Sequence, residues 1–218
     1  MRVPESLRGV IGIFGGMFDP VHHGHLRTAY ELKVRLAIDL VHFIPAAQPP
    51  HRGAPEASAE LRLAMLEAAL EGEAGCVIDR RELEREGPSY SIDTALGLRA
   101  EYPDYVLCLL LGMDAFLGLP GWRDWERLLD LVNIVVARRP GADLPGDGPL
   151  GRLLDERRVV PGQELPWAAS GQLVVQDVTQ LEISSSDLRA SIRAGIEPKY
   201  LVPDAVWHLI ETSGCYAG

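Results

Sequence analysis

The stretch Val10-Ile11-Gly12-Ile13-Phe14-Gly15-Gly16-Met17-Phe18-Asp19-Pro20-Val21-His22-His23-Gly24-His25-Leu26 decides the fold of this chain of 218 residues. Residues 10–14 are apolar around a single glycine, which is typical of a buried strand, and the following glycine pair predicts a tight turn. A helical pattern covers residues 25–38, and a second apolar segment covers residues 40–45. This order predicts a βαβ unit with a right-handed crossover.

The rest of the chain continues the alternation. Strands are predicted at residues 105–111 and 133–137. Residues 105–111, and residues 134–137 after Asn133, are apolar without a break, which is typical of strands buried on both faces of a parallel sheet. Two further strands are predicted, at 76–79 and 173–178. Further helices are predicted after Ser58 and at 91–100, 114–119, 125–131, 150–156, 185–194 and 203–213. The pattern predicts an α/β protein with an open parallel sheet and helices on both faces.

The expected domain organisation is simple. We find no internal repeat, and we interpret the Pro- and Gly-rich segment 140–151 as a surface loop. A single domain is therefore expected over residues 1–218, with a C-terminal helical portion from about residue 184 packed on the sheet. In the helix after Ser58, we expect the apolar residues from Leu61 to Leu70 to crowd its buried side.

Composition excludes several classes of protein. Apolar residues make up 47% of the chain and charged residues 24%, a globular balance, and the net charge is −10. An acidic surface disfavours nucleic acid and anionic membranes, although a local cationic pocket stays open. The longest apolar segment, residues 106–113, is far shorter than the roughly 20 residues of a membrane helix. Three cysteines without paired spacing favour neither a disulfide scaffold nor a zinc site, so we expect the cytoplasm.

The first candidate site follows the first strand, because ligands of open parallel sheets bind where strands end. Gly15 and Gly16 allow the backbone to approach a ligand closely. His22 and His25 are spaced to share a helix face, and a helix N-terminus favours anions. Together they predict a phosphate site. Each histidine could also be an ordinary polar residue, and the cluster could bind a metal, although no third-ligand motif accompanies it.

The second candidate site is Ile183-Ser184-Ser185-Ser186-Asp187-Leu188-Arg189, directly after the last predicted strand. Three hydroxyl groups at a helix start, with Arg189 one turn further on, could bind a second anion. The alternative is plain capping by Ser184 or Ser185, with Arg189 in solvent.

These two segments resemble the two motifs of the nucleotidyltransferase superfamily that carries His-x-Gly-His. The first is Gly15-Gly16-x-Phe18-Asp19-Pro20-x-His22-x-Gly24-His25, and the second is Ile-Ser-Ser-Ser-x-Leu-Arg at 183–189. Further segments are similar to bacterial nicotinate-nucleotide adenylyltransferases: Pro49-Pro50-His51-Arg52, Pro88-Ser89-Tyr90-Ser91-x-x-Thr94, Gly112-Met113-Asp114, Trp122, Arg138-Arg139-Pro140-Gly141 and Gly214-Cys215-Tyr216. Met17 departs from the Thr or Ser that is usual in that family.

The resemblance implies a Rossmann-like fold of the nucleotidyltransferase type and an enzyme that transfers AMP from ATP to nicotinate mononucleotide, in NAD biosynthesis. It implies catalytic roles for His22, His25 and Arg189. The ATP site that it implies consists of Gly15, Gly16, Phe18, His22, His25, Ser185, Ser186 and Arg189. Mg²⁺ is expected on the triphosphate, with no direct protein ligand. Asp19 is either an outer group of this site or a turn residue before Pro20.

For nicotinate mononucleotide the resemblance implies contacts from His51, Arg52, Tyr90, Thr94, Asp114 and Trp122. Several have a structural alternative: Trp122 as a surface aromatic, Thr94 as helix interior and Asp114 as an N-cap. The competing functions are a sister nucleotidyltransferase (for nicotinamide mononucleotide, pantetheine phosphate or a cytidylyl group) and a non-catalytic nucleotide-binding regulator. The presence of both histidines argues against the regulator. Both a monomer and a homo-oligomer stay open.

Overall fold

The computed structural model describes residues 6–47, 53–160, 167–179 and 181–217. Strands and helices alternate along most of the chain. The strands are β1 (Val10–Gly16), β2 (Leu40–Pro45), β3 (Cys76–Ile78), β4 (Val106–Gly112), β5 (Asn133–Arg138), β6 (Arg158–Val159) and β7 (Leu173–Asp177). The helices are α1 (His23–Arg35), α2 (Ala59–Leu70), α3 (Ser91–Glu101), α4 (Met113–Leu117), α5 (Trp125–Leu131), α6 (Gly148–Arg157), α7 (Ser185–Arg193) and α8 (Asp204–Ser213).

The strands form one seven-stranded sheet in the order β3-β2-β1-β4-β5-β7-β6. β4 pairs in parallel with both β1 and β5, and β7 pairs in parallel with both β5 and β6. Val106 to Leu111 are all buried, as the unbroken apolar run of β4 predicts for a central strand. The open parallel α/β sheet expected from the sequence is confirmed.

The chain divides into two compact units. The first comprises Met1–Phe14, Ala29–His42 and Tyr90–Thr179, and the second comprises Gly15–Thr28, Phe43–Ser89 and Gln180–Gly218. In the first unit α3 packs against α5, and in the second α2 packs against α8. The single domain expected from the sequence stays a prediction. Among the described helices, none has the length and hydrophobicity that a membrane crossing requires.

Helix α2 corrects one expectation about the core. Of the apolar residues from Leu61 to Leu70, only Met65 and Leu66 are buried, and Arg62 is buried beside them. Residues 62, 65 and 66 share one face because their spacing is three and four residues. Arg62 is 1% exposed, and its Nη1 donates hydrogen bonds to the carbonyl oxygens of Met17 and Ala46, each 2.8 Å long. A buried cation therefore holds the loop after β1 in place.

Some element boundaries also differ from the sequence prediction. Helix α1 begins at His23 and ends at Arg35, before the expected residue 38, and its apolar residues Tyr30 and Val34 are exposed. The two-residue strand β6 was not predicted, because it is too short to show a pattern.

Candidate active site

Gly15 and Gly16 are the last residues of β1, so the tight turn expected at this pair is wrong, and the end of the strand needs glycine at residue 16. A side chain there would meet the ring of Phe18, since a Cβ on Gly16 would lie 2.9 Å from two of its atoms. Phe18 is 1% exposed, and its ring centroid lies 5.2 Å from that of His25 and 6.0 Å from that of Phe43. Phe18 therefore packs against the rings of His25 and Phe43, and its contact with ATP stays a prediction.

His22 and His25 form a stacked pair at the start of α1. Their ring centroids are 3.7 Å apart with an angle of 23° between the planes. The Nδ1 atom of His22 is buried and, within the described residues, has no hydrogen-bond partner. Burial, helped by the charge of His23, lowers the pKa of His22 from 6.5 to about 4. His22 is thus a neutral imidazole at neutral pH, with a ring nitrogen that the fold does not use.

We expect this buried imidazole to make the fold sensitive to acid. Its pKa is lower in the folded chain than in the unfolded one, so its contribution to stability is complete above pH 6.5 and is lost as the pH falls towards about 4. The pKa difference corresponds to about 3 kcal/mol. Urea unfolding between pH 4 and 8 should show a steeper loss for the native chain than for His22→Asn. Equal slopes of the unfolding free energy against pH for the two chains would contradict the role of His22 in this acid sensitivity.

Asp19 connects the loop before His22 to two segments that are distant in sequence, at residues 56–57 and at Tyr216. Its Oδ2 accepts a hydrogen bond from the Glu56 backbone N–H (2.8 Å), and its Oδ1 accepts from the Ala57 N–H (3.1 Å) and the Tyr216 hydroxyl (2.6 Å). Asp19 is 3% exposed. Its carboxylate is therefore engaged inside the fold, which favours a structural role, as expected of a residue before Pro20.

The Tyr216 hydroxyl should contribute measurably to stability. Burial and the hydrogen bond to Asp19 raise its pKa, so it stays protonated as a donor. A buried hydrogen bond to a charged acceptor contributes about 1.5–3 kcal/mol, so Tyr216→Phe should lower the free energy of unfolding by about that amount. Urea denaturation measures the change. Tyr200→Phe is the control, because Tyr200 is 79% exposed, and an equal loss there would refute the role of the Asp19 bond.

The second motif is joined to the first inside the second unit. Ser184 is the N-cap of α7, with its Oγ accepting from the Asp187 N–H at 3.1 Å, so the capping interpretation holds for this serine. Ser185 Oγ donates to the Pro20 carbonyl (3.0 Å), and Arg189 Nη1 donates to the Asp19 carbonyl (2.8 Å). Ser186 is exposed. The helix start and Arg189 therefore lie against the loop that carries His22.

Arg189 does not lie in solvent. Its Nε donates to Oε1 of Glu56 at 2.7 Å, and the other oxygen of that carboxylate accepts from Arg193 Nη1 at 2.6 Å. The side chain of Arg189 is 19% exposed. The solvated alternative for Arg189 is wrong, because Asp19 and Glu56 fix its guanidinium group.

The residues expected to contact the second substrate lie in the first unit where they are described. Thr94 is 3% exposed inside α3, and its N–H donates to the Tyr90 carbonyl at 3.3 Å. Tyr90 and Trp122 are half-buried, and the guanidinium of Arg123 lies 4.8 Å from the Tyr90 ring centroid. Asp114 is exposed within α4, whose N-cap is Gly112, so its N-cap alternative is wrong. His51 and Arg52 lie outside the described residues.

The sequence did not indicate the contacts that three residues make near the two motifs: Arg62, Tyr216 and Glu56. Arg62 carries no clear sequence signal, because the apolar residues of α2 surround the helix and do not show which side is buried. Tyr216 was noted only as part of a terminal match. Glu56 carries no sequence signal, because its partners follow it by more than 130 residues. Over residues 6–47, 53–160, 167–179 and 181–217, no group of three or more His, Cys, Asp and Glu side chains is placed to hold a metal ion.

Comparison with known proteins links the chain to one family. The cytidylyltransferase-like family model matches residues 13–191. A protein of Methylococcus capsulatus named "Probable nicotinate-nucleotide adenylyltransferase" is 46% identical over 209 residues, which are 95% of this chain and 100% of that protein. A protein of Aeromonas hydrophila with the same name is 42% identical over 212 residues, or 96% and 98% of the two chains.

A solved structure shares the fold. The Plasmodium falciparum nicotinic acid mononucleotide adenylyltransferase complexed with NaAD superposes with a TM-score of 0.73 over 96% of this chain and 98% of that chain. Its sequence identity to this chain is 15%, so the likeness is one of fold.

Proposed function

Because the chain belongs to the nicotinate-nucleotide adenylyltransferases of the cytidylyltransferase-like family, we propose that it transfers AMP from ATP to nicotinate mononucleotide, in NAD biosynthesis. The products are nicotinate adenine dinucleotide and pyrophosphate. The observation that carries the proposal is the stacked His22–His25 pair at a helix N-terminus, joined through the loop at 19–20 to Ser185 and Arg189. Imidazole donors at the start of α1, with the hydroxyl and guanidinium donors of α7 joined to the same loop, suit a polyphosphate.

The reaction needs no nucleophile from the protein. A phosphate oxygen of nicotinate mononucleotide attacks the α-phosphorus of ATP, the new P–O bond forms, and the bond to the β-phosphate oxygen breaks. The electron pair of that bond leaves with pyrophosphate. The protein therefore acts by holding the two phosphates in line and by stabilising the negative charge that develops on them.

His22 and His25 would serve that charge. A neutral His22 offers one N–H, and an approaching phosphate raises its pKa, so the imidazole can donate more strongly as charge develops. Gly15 and Gly16 at the end of β1 would let the triphosphate lie against the backbone, with the Phe18 ring packed beside His25 and keeping it in place. These roles rest on the burial and stacking described above.

The β- and γ-phosphates would be held by Ser185, Ser186 and Arg189 at the start of α7. A divalent cation, Mg²⁺, would arrive with ATP and neutralise charge on the phosphate oxygens. For nicotinate mononucleotide we propose His51, Arg52, Tyr90, Thr94, Asp114 and Trp122. Thr94 is buried, so it would act by fixing the Tyr90 end of α3. The cytoplasmic location and the absence of nucleic-acid partners stay predictions.

The test is pyrophosphate release by the purified full-length chain. ATP and Mg²⁺ are supplied with nicotinate mononucleotide, nicotinamide mononucleotide or phosphopantetheine in parallel reactions. We expect fastest release with nicotinate mononucleotide, together with formation of the dinucleotide. Release with phosphopantetheine alone would identify a sister transferase. No release with any acceptor would favour a nucleotide-binding regulator, and either result would overturn the proposal.

A further inference from the structure

Glu56 bridges two arginines that lie one turn apart on α7, Arg189 and Arg193. Its two carboxylate oxygens accept hydrogen bonds from Arg189 Nε (2.7 Å) and Arg193 Nη1 (2.6 Å). Its backbone N–H donates to the buried carboxylate of Asp19. Hydrogen bonds from the two arginines hold the pKa of Glu56 below its ordinary value, so the group is charged at neutral pH.

We propose that the Glu56 carboxylate competes with the terminal phosphates of the nucleotide for Arg189, and that it returns to Arg189 when pyrophosphate leaves. The inference rests on the proposed function, which assigns Arg189 to the β- and γ-phosphates. A phosphate oxygen that takes the Nε hydrogen of Arg189 must first displace Oε1 of Glu56.

The two ends of the pair differ in mobility. Arg189 is tied to the Asp19 carbonyl and its side chain is 19% exposed, whereas the Glu56 side chain is 40% exposed and its second partner, Arg193, is 44% exposed. Displacement therefore requires rotation of the Glu56 side chain, which the exposed Arg193 can follow, with Asp19, Arg189 and the loop left in place. An exposed ion pair is weak, so the exchange costs little in either direction.

Such competition lowers the affinity for ATP and for pyrophosphate together. Pyrophosphate carries more charge on its free phosphates than the dinucleotide product does. Faster loss of pyrophosphate therefore assists the enzyme. Glu56 is therefore a positioning residue for the polyphosphate, and it acts through Arg189.

The test is Glu56→Gln, with binding of inorganic tripolyphosphate and pyrophosphate measured by titration calorimetry. We expect both dissociation constants to fall by roughly two- to fivefold, the range that an exposed ion pair allows. The matched control is Glu73→Gln, which removes the same charge from an exposed side chain beyond the far end of α2. It should leave both constants unchanged, because distant exposed charges are screened.

A double-mutant cycle shows whether the effect passes through Arg189. On an Arg189→Met background, Glu56→Gln should give no gain in tripolyphosphate affinity. When Arg189 is present, Glu56→Gln should lower KM for ATP and leave KM for nicotinate mononucleotide unchanged. Weaker or unchanged binding by Glu56→Gln, or an equal gain without Arg189, would overturn the proposal.

The outcome is separable from that of the proposed function. Tripolyphosphate binding requires neither nicotinate mononucleotide nor turnover. If the native chain transfers no AMP while Glu56→Gln still binds tripolyphosphate more tightly through Arg189, then the proposed function is wrong and the competition stands. If the native chain transfers AMP and Glu56→Gln does not change the affinity for tripolyphosphate, then the proposed function stands and the competition is wrong.

Discussion

Replacing His25 with alanine is expected to lower kcat for AMP transfer by about 10²- to 10³-fold. The substitution removes an imidazole donor that we propose stabilises the charge developing at the α-phosphate. It also removes the ring stacked on His22 at 3.7 Å, which helps to hold that second imidazole. Stability should change little, because His25 is only half-buried and Phe18 and Phe43 still pack together beneath it.

The measurement is steady-state pyrophosphate release, with a thermal melt on the same sample. His208→Ala is the control, because it removes an exposed imidazole from α8 in the same unit. We expect native turnover from the control. Near-native turnover by His25→Ala would refute the catalytic assignment, and a large drop in its melting temperature would mean that the ring supports the fold.

The sheet could be predicted from the sequence because its signals are local. Unbroken apolar runs identified β4 and β5, and the N-caps at Ser58 and Ser184 follow from one residue and its position. Helix faces were less predictable. The apolar residues of α2 surround the helix, so their number does not indicate which side is buried, and Arg62 occupies the buried face.

Charged pairs near the strand ends could not be predicted in the same way. In the sequence, Arg138 stands out only as part of the Arg138-Arg139-Pro140-Gly141 segment that resembles the family, which indicates no partner for its side chain. Arg138 donates two hydrogen bonds to Asp177, at 2.7 and 3.1 Å, because the parallel register of β5 and β7 places these residues opposite each other. That register is set by the whole sheet. The Glu56 pair depends likewise on contacts between segments that are distant in sequence.

Gly24→Ala is expected to separate activity from stability. A Cβ on Gly24 would lie 2.9 Å from Nδ1 and 3.0 Å from Cε1 of His22, so the imidazole must shift. The ring of His25 is stacked on that of His22, which limits where the His22 ring can move. Misplacing a catalytic group by about 1 Å can reduce the rate about 10²-fold, so we expect a 10- to 10²-fold loss of kcat/KM.

Stability should stay the same or rise, because Gly24 lies within α1 and alanine favours a helix by up to about 1 kcal/mol. Steady-state kinetics and a thermal melt test the two halves of the prediction. Gly146→Ala is the control, since a Cβ there would meet no atom within 4 Å. Native kcat/KM in Gly24→Ala would show that the His22 ring accommodates the methyl group.

The cause of the Gly24→Ala effect can be separated by a second variant. The new methyl group could act by displacing His22, or by blocking a phosphate that lies against the backbone at Gly24. On a His22→Asn background, displacement predicts that Gly24→Ala adds almost no further loss, since residues that act together are not additive. Blocking predicts the full loss again, mainly in KM for ATP. We expect the first result, because the new Cβ would lie 2.9 Å from Nδ1 of His22, so the ring must move even when no phosphate is bound.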